Sequence, residues 1–146
     1  MKFPLSKPYK NFCIFETMAI NGVGCTTLVL QDTLRENNIH PGLCEYWFVP
    51  PIPATETEHL MTFMIAGWLG TAGILQAFIN FDDLVPKRTR LAALYSFAAC
   101  DLVWIILMIQ YLHLFSPYHI VGSIYTIGQR FQYVINPNNI FNTTEK

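Results

Sequence analysis

Charge is what this sequence has least of. Asp, Glu, Lys and Arg make up 13% of its 146 residues, against 52% apolar, whereas a soluble domain carries about 25% charged residues. A chain this short has a high surface-to-volume ratio, and a soluble fold would need more charge to cover it. The formal net charge of −1 leaves no basic footprint for nucleic acid. Cysteine is also sparse: four residues with no CxxC pair and no spacing that frames disulfides. Cys13, Cys25 and Cys100 fall in apolar segments and read as small buried hydrophobes; only Cys44 falls in a loop. There is no GxSxG, P-loop, dinucleotide fingerprint, HExxH or haem attachment motif. His40, Cys44, Glu45 and His59 lack the spacing of a ligand set, so neither a metal nor a cofactor is expected. Residues 1–10 are basic but carry Pro4 and Pro8 and no apolar run, unlike a secretory or transit peptide.

What the sequence does have is long apolar runs. Residues 60–81 form a stretch of 22 without a charge, and residues 91–115 one of 25 with Asp101 alone. Each exceeds the roughly 20 residues a helix needs to cross a bilayer. Two further segments are of spanning length but more polar: 11–30 carries Glu16, and 118–135 carries Gln129 and Arg130. Helices inside a bundle can turn such groups away from lipid. These runs predict an all-α integral membrane four-helix bundle, formed by a single domain over 1–146.

Lys and Arg set its orientation. Lys2, Lys7, Lys10, Lys87, Arg88, Arg90, Arg130 and Lys146 fall on one side of such a bundle, and Arg35 alone on the other. This asymmetry places both termini on the cytoplasmic side, or in the matrix or stroma of an organelle. The sequon 142–144 would then escape glycosylation. The polar loop 31–58 is acidic and holds Pro41, Pro50, Pro51 and Pro53, which exclude a regular helix. Its aromatic run Tyr46-Trp47-Phe48 suits the headgroup layer or a partner surface.

Small residues mark helix faces. Ala66, Gly70, Gly73 and Ala77 share one face of the second span, and Ala92, Ser96 and Cys100 one face of the third. Such stripes let backbones approach closely in lipid, and across the short loop 82–89 they predict a tight antiparallel pair. Asp101 lies ten residues into its span, roughly 15 Å deep at 1.5 Å per residue. A carboxylate at that depth should face the bundle interior and find a partner. Glu16 and Arg130 lie at similar depths and can pair, Gln76 shares their level, and Asn21 approaches the level of Asp101.

Two readings follow. In one, a structural network, Glu16 pairs with Arg130, Asp101 bonds to Asn21 or a hydroxyl, and Gln76 lies at the same level. In the other, Asp101 and Glu16 are acid and base in a pocket, since a carboxyl in apolar surroundings can donate a proton near neutral pH. Trp104 and Tyr125 are added as candidates for the pocket lining or the network. His113 and His119 flank the turn between the last two spans, where a polar ring is ordinary.

With these residues placed, the chain resembles an uncharacterised fungal family of small four-helix membrane proteins. The likeness rests on Phe12-Cys13-Ile14-Phe15-Glu16 in the first span, Gly22-Val23-Gly24 after it, Arg90 leading to Asp101 in the third, and Arg130 in the last. Thr17 stands where the family often has Pro, and the polar residue common after the Asp is absent. The architecture is also similar to the emopamil-binding, sterol isomerase-like group. That likeness implies carboxylates in a lipid-facing cavity. The expectation is a multi-pass protein of the endoplasmic reticulum or another internal membrane, binding or isomerising or cyclising a lipophilic small molecule. The alternative is a non-catalytic accessory or assembly subunit of a larger membrane complex, respiratory or photosynthetic.

Overall fold

The computed structural model describes residues 4–30, 33, 36–37, 56–82 and 84–141. Most of the loop 31–58, with His40, Cys44, Glu45 and the aromatic run, lies outside them, as does the sequon. Among the described residues four long helices make up the fold: α1 (Lys7–Val29), α2 (Glu56–Phe81), α3 (Lys87–Gln110) and α4 (Pro117–Ile135). Short 3₁₀ turns, Leu112–Leu114 and Pro137–Ile140, follow α3 and α4.

Local chemistry sets the helix ends. Pro8 sits in the first turn of α1, where its missing N–H has no partner to lose; the helix therefore starts four residues before the predicted span. Pro117 opens α4 in the same way, and the Ser116 hydroxyl caps it by accepting from the His119 N–H at 3.2 Å. The helical bias of residues 91–115 ends early, at Gln110, because Tyr111 leaves helical geometry and Pro117 disfavours helix just before it. Arg90, 1% exposed, donates from Nη2 to the Asp82 carbonyl at 2.7 Å. It thus satisfies the carbonyl end of α2, where a cation is favoured.

Among the described residues, three helical segments are long and apolar enough to cross a membrane: Lys7–Val29, Thr62–Phe81 and Lys87–Gln110. With 19 residues α4 is of spanning length, yet it falls short in apolarity because His119, Gln129, Arg130 and Gln132 dilute it. Its polarity is sorted by face. His119, Thr126 and Arg130 are buried, whereas Val121, Ile124 and Tyr125 are exposed. That is the inverse of a water-soluble helix.

The pairing of helices differs from the sequence expectation. The α2 face of Thr62, Ala66, Leu69, Gly73 and Gln76 is buried, but it packs mainly on α1, and α3 packs mainly on α4. Ala92, Ser96 and Cys100 of α3 are exposed; its inward face is Arg90, Leu94, Ala98 and Met108. Small-residue spacing identifies a face but not the neighbour that covers it. A Cβ at Gly70 would lie 3.2 Å from Cys25 Sγ, a separation that an S–S bond of about 2.05 Å can bridge. Gly70→Cys should therefore cross-link to Cys25 under mild oxidation, giving a shifted band on a non-reducing gel. No cross-link would mean that α2 does not lie on α1.

The two pairs are joined at the end where residues 5–13 meet residues 140–141. Tyr9, Phe12, Cys13, Leu94, Ile140 and Phe141 form a buried cluster there, flanked by Leu5 and Tyr133. The Tyr9 and Tyr133 rings meet edge-on at 4.8 Å. Leu5 bridges Phe141, and the Ser6 N–H donates to the Ile140 carbonyl at 2.8 Å.

Candidate functional site

The polar side chains anticipated in the interior meet in one chain of contacts that crosses all four helices. Arg130 of α4 is its centre. Its Nε donates to Asp101 Oδ2 of α3 at 2.6 Å, and its Nη2 donates to Glu16 Oε1 of α1. Gln76 of α2 donates from Nε2 to Glu16 Oε2 at 3.0 Å, while its Oε1 accepts from Asn21 Nδ2 at 2.9 Å. Each donor in the series points at a carboxylate or at the group that serves one. Glu16, Gln76 and Arg130 are buried, at 4%, 2% and 7% exposure, and Asp101 is half-buried. The Phe97 and Phe12 rings lie 5.3 and 5.9 Å from the Arg130 guanidinium carbon, adding cation–π attraction in a desolvated site.

A widened turn makes this geometry possible. α1 is α-helical over Lys7–Phe15, a π-helix over Glu16–Val23 and α-helical again over Gly24–Val29. In an α-helix, residues five apart lie about 140° apart around the axis, since each step turns about 100°. In an i→i+5 helix they stack on one face. Glu16 and Asn21 are such a pair, and both reach Gln76. Gly22 admits the wide turn: a Cβ there would sit 3.2 Å from the Thr17 carbonyl oxygen five residues back. With α-helical spacing, Ile20 would take the inward place, so Asn21 serves Gln76 and not Asp101.

The remaining candidates sit elsewhere. Trp104 packs edge-on against Phe115 and His119, with centroids 5.6 and 5.7 Å apart. Tyr125 is 58% exposed and meets the Phe15 ring from outside. Neither touches the polar chain in this arrangement. Cys13 is buried as expected and Cys25 is half-buried, but Cys100 is exposed. No group of three His, Cys, Asp or Glu side chains converges on a metal-sized site among the described residues.

The clefts lie away from the carboxylates. One, of about 240 Å³, runs between α1 and α4 and is lined by Phe15, Ala19, Ile20, Val23, Gly24 and Thr27 against His119, Gly122, Ser123 and Thr126. A second, of about 360 Å³, lies between α2 and α3, bounded by Met64, Ile65, Trp68, Cys100, Val103 and Trp104. Both occupy the half of the bundle remote from the termini, in the seams between the two helix pairs. Glu16, Asp101 and Arg130 line neither. The sequence did not mark His119 or Ser123 as a site, yet their four-residue spacing puts them on one face, and Ser123 Oγ lies 3.2 Å from His119 Nε2. Compared with protein families, curated proteins and solved structures, the chain matches none.

Proposed function

We propose that this chain is a multi-pass protein of an internal membrane, crossing it four times, with both termini on the cytoplasmic, matrix or stromal side, and that its bundle binds a lipophilic small molecule. The observation that carries the membrane reading is the inverted sorting of its side chains. Met18, Ile74, Phe78, Val103, Ile109 and Ile124 point outward, while Glu16, Gln76 and Arg130 are buried. In water this arrangement would cost free energy twice over; in hydrocarbon it gains at both faces. Lys7, Lys10, Lys87 and Arg88 gather at the end with the termini, as positive-inside insertion requires. The expected result in sealed vesicles is that an impermeant maleimide labels native Cys44 and an introduced Arg88→Cys from opposite sides. Labelling from the same side would overturn the topology.

The contacts favour a structural role for the polar chain over acid–base catalysis. Both Glu16 oxygens and one Asp101 oxygen are engaged by donors, and the clefts bypass them. Asp101→Asn should therefore lower the melting temperature in detergent while leaving retention of a bound lipophilic molecule unchanged. Loss of retention at unchanged melting temperature would restore the catalytic reading of Asp101 and Glu16. A second reading, an accessory subunit, is favoured by the outward stripe Ala92, Ser96 and Cys100, which suits a partner helix. Migration of the native protein within a large complex would select that reading.

A further inference from the structure

The cleft between α1 and α4 specifies what kind of molecule it takes; this step rests on the proposal that the bundle binds a lipophilic ligand. Its walls are largely apolar, and no Lys, Arg, Asp or Glu lines it. A charged head group would enter without a counter-ion, which burial penalises heavily. Thr27 and Thr126 also line the cleft, but their hydroxyls donate to carbonyls of their own helices, Thr27 to Gly24 and Thr126 to Gly122 and Ser123. Ser123 differs. Its hydroxyl is joined to the His119 ring rather than to backbone, and a hydroxyl can both donate and accept.

Access and size narrow the class further. Phe15 and Val23, which line the cleft, are 43% and 50% exposed on the outer face of α1, so the cleft opens sideways through that face. Its volume of about 240 Å³ falls below the drug-sized range of about 300–1,000 Å³. It admits one chain or one ring, not a two-chain lipid. Trp104 and Phe115 pack on His119 and hold the imidazole at the back of the site. We infer that the α1/α4 cleft is a lateral binding site for a neutral amphiphile with a single chain or ring, an alcohol or carbonyl compound, whose oxygen hydrogen-bonds to the Ser123–His119 pair.

The test uses the full chain in phosphatidylcholine nanodiscs and three photoreactive twelve-carbon probes with a mid-chain diazirine: the alcohol, the carboxylic acid held ionised, and the hydrocarbon. The alcohol should label peptides covering residues 15–27 and 119–126 above the other two, and excess dodecanol should remove that label. Ser123→Ala, which keeps the shape of the site, should reduce labelling about fivefold, the value of one neutral hydrogen bond. Ala19→Trp should fill the cleft and abolish labelling, with the melting temperature reporting that the fold is intact. Equal labelling by all three probes, or no effect of Ser123→Ala, would overturn the head-group assignment while leaving ligand binding standing. Labelling no greater than on the exposed α3 residues Leu102 and Ile106 would overturn both.

Discussion

Replacing Arg130 by methionine should destabilise the protein by about 3–5 kcal/mol, the cost of breaking a buried ion pair from one side. Two carboxylates, Glu16 and Asp101, depend on this one guanidinium, and methionine would leave a buried Glu16 and a half-buried Asp101 without a counter-charge. Glu16→Gln should be milder, about 1–3 kcal/mol, because its amide NH2 would face one of the two donors that Glu16 now accepts from, while the remaining Arg130–Asp101 pair is electrically balanced. The triple variant Arg130→Met, Glu16→Gln, Asp101→Asn should recover most of the loss, since the charge itself would be gone. Reversible denaturation in mixed micelles measures all three. Equal stability of Arg130→Met and the native protein would show that the contacts do not hold the bundle together.

Gly73→Leu should be the next most damaging change. A Cβ at Gly73 would lie 2.9 Å from the Asn21 Cβ, so α1 and α2 could not keep their spacing. Alanine there should cost about 1–3 kcal/mol in overpacking, partly offset by about 1 kcal/mol of helix propensity. Leucine should exceed about 3 kcal/mol, because its branch would be driven into the Asn21–Gln76 hydrogen bond. Gly67 provides the control: a Cβ there meets nothing within 4 Å, and Gly67→Ala should stabilise by about 0.5–1 kcal/mol. The same micelle assay separates the outcomes. If Gly73→Leu melts with the native protein, the close approach of α1 and α2 is wrong.

The sequence showed some of this arrangement directly. Length and apolarity located α2 and α3, and the expense of burying Asp101, Glu16 and Arg130 required that they meet. Three features were beyond its reach. Ala66, Gly70 and Gly73 announced a close-packed face, but nothing in their spacing distinguished α1 from α3 as its partner. The π turn at Glu16–Val23 shifts the inward register by one residue, and an α-helical reading cannot register that step; Gly22 beside Thr17 was the one local hint. On α3, an inward face built around Arg90, Leu94 and Asp101 outweighed the small stripe, because a buried charge costs more to misplace than an alanine. His119 read as an ordinary interfacial ring. Its spacing with Ser123 and Thr126, four and seven residues on, was the signal that it faces a shared seam.

The contact between Leu5 and Phe141, with the Ser6 N–H on the Ile140 carbonyl, has a mechanical meaning. It closes nearly the whole chain into a ring, so a pull on either terminus loads this small clasp before any helix is drawn from the bundle. The Ile140 side chain, wholly enclosed, must be withdrawn from its cluster at the same moment. Force from a processive unfolding motor would thus meet its first resistance at the tails and not at the ion pairs. Once the clasp yields, a pull from the C-terminal side draws α4 first and Arg130 with it, and a pull from the N-terminal side draws α1 first and Glu16 with it.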